Sequence, residues 1–124
     1  MVAMPKQGDV IKIDAEPHVG REMGGRSPET GNNQRSMIVW TNSGYNAKTQ
    51  LVGGMMVSTG DYAKRTPHLA IRNEPDSHIY GNIVTWQVIS YDFVKRHGRI
   101  VGHVSDGLLR TLLTKVHQIY SFPE

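Results

Sequence analysis

The chain has 124 residues, a formal net charge of +3 and no cysteine, which excludes disulfides, thiolate metal sites and cysteine nucleophiles. Its length predicts one domain, residues 1–124, and its 13 glycines and 6 prolines favour β-rich structure over a helical bundle. The first residues lack an apolar signal core, and no run approaches the roughly 20 apolar residues that span a bilayer. We therefore expect a soluble, cytoplasmic protein without membrane contact.

The apolar patterning predicts six strands in chain order, at residues 9–14, 37–40, 51–58, 68–72, 81–90 and 99–104. Residues 15–34 are rich in glycine and predict a long binding-site loop without secondary structure, disordered at 27–33. Ser43, Gly44 and Asn46 predict a turn between the second and third strands. Gly53 and Gly54 predict a bulge or bend in the third strand.

Residues 105–120 are predicted as the one strong α-helix. Ser105 can cap its first turn, and Asp106 suits the positive end of the helix. One apolar stripe with helical spacing is expected to pack on the sheet: Leu108, Leu109, Leu112, Leu113, Val116, Ile119 and Tyr120. The predicted fold class is β-rich α+β, a small antiparallel β-barrel with a C-terminal α-helix.

Antiparallel pairing of the second and third strands would bring Arg35 to the sheet end that holds Ser58 and Thr59. A guanidinium beside hydroxyl groups is suited to bind phosphate. Two neighbouring loops are expected to surround the same cleft, and they contribute the polar side chains His18, Arg21, Glu22, Tyr62, Lys64 and Arg65. Tyr62 is the best candidate to stack on a base, because single-strand recognition uses exposed aromatic rings beside cations.

Other polar residues have more ordinary interpretations. The six histidines show no metal-binding spacing, so no metal and no cofactor are predicted. The basic run at 95–99 is interpreted as a solvated turn, with an RNA groove as the alternative. Trp86 is interpreted as core or dimer interface, with base stacking as the alternative.

The order of several short motifs resembles the MazF/PemK/Kid toxins of type II toxin–antitoxin systems. Arg35-Ser36 before an apolar strand resembles the Arg-Pro of that family, and Ser58-Thr59 resembles its Thr-Thr or Thr-Ser pair. Further matches run along nearly the whole chain: Gly8-Asp9, Glu16-Pro17, Gly20-Arg21-Glu22, Tyr45-Asn46 with Thr49, DYAKRTP at 61–67, Gly81 with Gln87, and Gly102 with Val104 before a leucine-rich helix.

The resemblance implies an SH3-like barrel and a homodimeric endoribonuclease that cleaves single-stranded RNA without metal. It also implies a cognate antitoxin encoded in the same operon. By resemblance, Arg35 takes the place of the catalytic arginine, Ser58 that of the catalytic threonine and Glu22 that of the loop glutamate. The RNA-binding residues would be Thr59, Tyr62, Lys64, Arg65, Arg21, His18 and Gln87.

The chain departs from the family in the loop before Arg35. About eight extra residues separate Glu22 from Arg35, so Arg26 is a rival for the catalytic arginine. We prefer Arg35 because it lies just before the predicted strand and ten residues before Tyr45, the spacing that the family has. An arginine–aspartate pair of Kid-like members is absent, because Val84 and Trp86 stand at those positions.

Metal-free RNA cleavage uses the ribose 2′-OH as the nucleophile and requires a base, charge stabilisation and protonation of the leaving 5′-oxygen. Arg35 suits charge stabilisation, while Glu22 and His18 remain alternatives for the base. Two other functions stay open: a non-nuclease toxin of the same fold, such as the CcdB-like gyrase poisons, or a non-catalytic RNA-binding barrel.

Overall fold

The computed structural model describes residues 3–16, 26–27, 31–32, 34–59 and 66–122, the two short segments by their backbone alone. Helix α1 spans Ser43–Thr49 and helix α2 spans Asp106–Tyr120, and a short 3-10 turn covers Pro75–Ser77. The strands are β1 (Asp9–Asp14), β2 (Arg26–Ser27), β3 (Gly31–Asn32), β4 (Gln34–Val39), β5 (Leu51–Ser58), β6 (His68–Ala70), β7 (Asn82–Val84), β8 (Ile89–Asp92) and β9 (Arg99–His103).

One antiparallel sheet of seven strands dominates the structure, in the order β6-β7-β5-β4-β1-β9 with β8 also on β5. On one edge β5 pairs with β4, and on the other it pairs first with β8 and then with β7. An antiparallel sheet followed by a C-terminal helix was predicted correctly. Within the described residues the end strands β6 and β9 do not pair, so the sheet is open and the predicted closed barrel is not confirmed.

Two apolar clusters cover the two faces of this sheet, because side chains alternate along each strand. The first core cluster is built on Ile11, Ile13, Ala15, Met37, Val39, Val52, Met56, Val84 and Phe93. The second core cluster is built on Val10, Ile38, Met55, Val57, Ile83, Val104 and Leu112. Leu112 belongs to α2, so the helix covers the second cluster.

The strands at 9–14 and 51–58 have the predicted bounds, and β4 begins earlier than predicted, at Gln34. The single strand predicted for 81–90 is wrong, because a turn at Thr85 and Trp86 divides it into β7 and β8. The two pieces pair with different parts of β5: Ile83 lies opposite Val57, whereas Ile89 lies opposite Gly54. One continuous strand cannot follow both pairings.

The turn predicted between the second and third strands is a helix, α1. Asn42 caps it by accepting a hydrogen bond from the Tyr45 amide at 2.8 Å, and Gln50 ends it in a left-handed conformation with φ of 61°. Asn46 is fully buried and donates to the Pro5 carbonyl at 3.0 Å. The cap and the long-range hydrogen bond stabilise this helix, whose sequence lacks the apolar stripe that usually indicates one.

Gly53 and Gly54 were predicted to form a bulge or a bend, and no bulge occurs there, since both residues pair in unbroken register with β8. The irregularity lies instead between Val10 and Ile11, where β1 pairs with β9. Gly54 is needed for a close approach: a Cβ there would lie 2.3 Å from the Ile38 carbonyl oxygen.

The segment 15–34 was predicted to lack regular structure and to be disordered at 27–33. That prediction is wrong at β2 and β3, which pair antiparallel, with Arg26 opposite Asn32 and Ser27 opposite Gly31. Residues 17–25, 28–30 and 33 lie outside the described residues.

The C-terminal helix was predicted correctly, and Ser105 caps it by accepting from the Leu108 amide at 3.2 Å. The Glu74 carboxylate holds both the Ser105 amide and its hydroxyl at 2.7 Å. The predicted apolar stripe is only partly buried: Ile119 and Tyr120 are 45% and 71% exposed. The last turn of α2 therefore presents apolar surface to solvent.

We expect alanine to have opposite effects at two glycines. Gly54→Ala should lower the free energy of unfolding by about 2 kcal/mol or more, because its Cβ collides with the backbone of β4. Gly107→Ala should raise it by roughly 0.5–1 kcal/mol, because position 107 is helical and open. Urea unfolding of both variants measures the difference, and equal values would contradict the close approach at Gly54.

Candidate functional site

Arg35 and Ser58 lie near the same end of two neighbouring strands, β4 and β5. The last pair of these strands toward that end is Met37 with Met56. Arg35 lies two residues beyond Met37 in β4, and Ser58 lies two residues beyond Met56 in β5. The antiparallel pairing expected between these two runs is therefore present.

Both side chains belong to the face of the sheet that carries the first core cluster. Arg35 is two residues from Met37 and Ser58 is two residues from Met56, so strand alternation puts all four on one face. Ser58 is 6% exposed, whereas Arg35 is partly exposed. The pair thus forms a polar end to an apolar surface, where an anion can reach a cation and be partly shielded from water.

Thr59 and Gln87 are the other predicted site residues that the structure describes. Thr59 follows β5 directly and is exposed. Gln87 is buried and lies between β7 and β8, which both pair with β5. Trp86 is half-buried and packs against the first core cluster. This contact agrees with its interpretation as a core residue.

The remaining predicted site residues cannot be located relative to this pair. Glu22, His18, Arg21, Tyr62, Lys64 and Arg65 lie outside the described residues. Only the backbone of Arg26 is described, in β2, so the choice between Arg26 and Arg35 stays a prediction.

The opposite face of the same sheet end is also polar, which the sequence reasoning did not connect to the site. Lys12 donates to the Ser36 hydroxyl at 2.6 Å, and Arg99 donates through Nε to the Gln34 side-chain oxygen at 3.2 Å. The only sequence signals were the polar positions of the first strand and the basic run at 95–99.

In the part of the chain that the structure describes, no cluster of three or more histidine, aspartate or glutamate side chains has the arrangement needed to hold a metal ion. None of the helices described here has the length and apolarity needed to cross a membrane.

Solved structures share this fold over almost their whole length. The MazF crystal structure (Form-I) from Deinococcus radiodurans aligns with a TM-score of 0.77 at 20% identity, covering 94% of this chain and 96% of that one. A MazE–MazF structure (Form-II) from the same organism aligns at 0.70 and 16% identity, covering 97% and 98%. An endoribonuclease in complex with its cognate antitoxin, from a mycobacterial species, aligns at 0.67 and 15% identity, covering 100% and 99%.

The fold is therefore that of the MazF toxins. The family model described as the PemK-like, MazF-like toxin of type II toxin–antitoxin systems matches residues 6–120. The chain belongs to this toxin family, as its motifs predicted. A comparison with curated proteins found no match.

The pair of Arg35 and Ser58 makes a direct prediction about anion binding. Arg35→Gln should weaken binding of inorganic phosphate at least about fivefold, because an ionic hydrogen bond contributes roughly 1.5–3 kcal/mol. Amide chemical-shift titration at Ser58 and Thr59 measures the affinity. Arg110→Gln removes the same charge from an exposed position of α2 and serves as the control. Equal weakening in both variants would contradict a local site.

Proposed function

We propose that this chain is the toxin of a type II toxin–antitoxin pair and acts as a metal-independent endoribonuclease on single-stranded RNA, inhibiting translation and growth. Family membership supports the toxin class. The observation that carries the nuclease activity is that Arg35 and Ser58 lie at the same end of β4 and β5, each two residues beyond the Met37–Met56 pair. A gyrase poison has no need of a guanidinium and a hydroxyl at one sheet end.

In the proposed reaction, the ribose 2′-OH gives its proton to the base and attacks the adjacent phosphorus. The bond from phosphorus to the 5′-oxygen breaks, and that oxygen takes up a proton. The products are a 2′,3′-cyclic phosphate and a 5′-hydroxyl, with no water consumed. Arg35 stabilises the charge that builds on the phosphate oxygens, because a guanidinium can bind two of them at once. Ser58 donates a hydrogen bond to the same group.

The proposed base is Glu22, with His18 as the alternative, because the arginine cannot take a proton. Substrate binding is proposed for Thr59, Tyr62, Lys64, Arg65, Arg21, His18 and Gln87. Among these, Thr59 is exposed beside Ser58, which supports contact with the RNA backbone.

The proposed partners are the substrate RNA, a cognate antitoxin and a second copy of the chain, all in the cytoplasm. Structures with this fold include a MazE–MazF structure and an endoribonuclease with its cognate antitoxin. In this chain Ile119, Tyr120 and Phe122 are exposed at the end of α2. Such clustered apolar surface supports a protein partner.

Purified protein is expected to cut single-stranded RNA in EDTA and to leave cyclic phosphate ends. The same RNA with 2′-O-methyl sugars should remain intact, because the nucleophile is blocked. End-group mapping of the products by mass spectrometry measures both results. Cutting of the methylated RNA, or products with a 5′-phosphate, would refute the proposed chemistry. No cutting with EDTA or Mg²⁺ would favour the gyrase or RNA-binding alternatives.

Arg35→Ala should abolish cleavage, a loss of at least about 100-fold, because a preorganised charge contact of this kind contributes roughly 3–4 kcal/mol. Ser58→Ala should lower the rate less strongly. Arg72→Ala, at an exposed position, is the matched control, and circular dichroism verifies folding. Full activity in Arg35→Ala together with loss in Arg26→Ala would transfer the catalytic role to Arg26.

A further inference from the structure

The turn at residues 93–98, between β8 and β9, contacts the strand ends that carry the proposed site. We propose that Arg96 in this turn is a positioning residue: it holds the ends of β1 and β4 so that Arg35 is fixed in place before RNA binds. This inference rests on the function proposed above and deepens it. It concerns a residue that neither the motifs nor the chemistry had assigned.

The first set of contacts fixes the end of β1. One guanidinium nitrogen of Arg96, Nη1, donates to the Asp14 carbonyl at 3.1 Å and to the Glu16 carbonyl at 2.9 Å. The Asp14 amide donates to the Arg96 carbonyl at 3.0 Å. Side chain and backbone of Arg96 thus bind the last residue of β1 and the chain just beyond it.

The second set of contacts reaches the start of β4. The Gln34 side-chain amide donates to the His97 carbonyl at 2.8 Å, and His97 Nδ1 donates to the Asp14 carboxylate at 2.7 Å. Asp14 and Gln34 are partners in the β1·β4 register, and the next pair is Ile13 with Arg35. The turn therefore bridges both strands one residue away from Arg35.

The turn can act as a fixed support because it is itself anchored. Phe93 is buried in the first core cluster, and Gly98 donates to its carbonyl at 2.8 Å. A Cβ on Gly98 would lie 2.3 Å from the Phe93 ring, so only glycine fits there. The Arg96 guanidinium lies 4.1 Å from the centre of the Tyr91 ring, a cation–π contact that restricts its orientation.

These contacts assign different roles to neighbouring cations in the basic run. Arg96 is partly buried and donates to the protein's own carbonyls, whereas Lys95 is exposed. Loss of Arg96 should therefore affect the rate of the chemical step more than the affinity for RNA. A displacement of about 1 Å at a reacting group can cost on the order of 100-fold in rate.

The test compares Arg96→Ala, Arg96→Lys and the control Lys95→Ala. Three quantities are measured: the single-turnover cleavage rate at saturating protein, the affinity for a single-stranded 2′-O-methyl oligonucleotide, and amide hydrogen exchange at residues 12–16 and 34–36. Arg96→Ala should lower the rate about 10- to 100-fold with affinity within about twofold of Lys95→Ala, and exchange should rise. Arg96→Lys should recover part of the rate, and Lys95→Ala should retain it.

Each contrary result has a defined meaning. If Arg96→Ala keeps the full cleavage rate but binds RNA more weakly, Arg96 is an RNA contact. If amide exchange rises but the cleavage rate is unchanged, Arg96 holds the strand ends without affecting catalysis. Either result overturns the proposal. If Arg96→Ala does not fold, Gln34→Met removes the hydrogen bond from Gln34 to the His97 carbonyl, and full rate in that folded variant also overturns the proposal. A wild-type protein that cuts no RNA refutes the proposed function, while the exchange data still decide whether Arg96 holds the strand ends.

Discussion

The antiparallel pairing of β4 with β5 is the contact on which the rest of the structure depends. It brings Arg35 and Ser58 to the same end of the two strands, on the face of the first core cluster. It requires Gly54, because the backbones approach too closely for a side chain there. Since β5 also pairs with β7 and β8, the same strand supports the segment that contains Gln87, and Thr59 follows it directly.

The parts of the fold that were predictable are those encoded by strong local patterns. Strands β1 and β5 and helix α2 combine apolar periodicity with clear ends, and all three were found near the predicted bounds. Helix α1 was missed because a buried Asn46 hydrogen-bonded to Pro5, 41 residues away in sequence, replaces an apolar stripe. The division of 81–90 was missed because β-branched residues indicate a strand without indicating where it changes partner.

How much of the site could be predicted also depends on how far apart its contacting residues are in the sequence. Arg35 and Ser58 could be brought together in advance, because successive strands commonly pair. The support from Arg96 could not, since it acts on Asp14 across 82 residues of sequence. In the sequence, Arg96 is one cation among several in a polar turn, and only its contacts with main-chain carbonyls distinguish it from Lys95. A basic run in a sequence can thus include residues that bind the protein itself.

The pairing of β1 with β9 has a consequence for how the molecule is made. Asp9 lies opposite His103, so nearly the whole chain separates the two partners. Contacts between residues so distant in sequence form late, because closing a long loop is entropically unfavourable. During synthesis, the outer edge of β1 must stay unpaired until β9 has left the ribosome. The strand that borders Arg35 therefore gains its second neighbour only after Arg99–His103 have been synthesised.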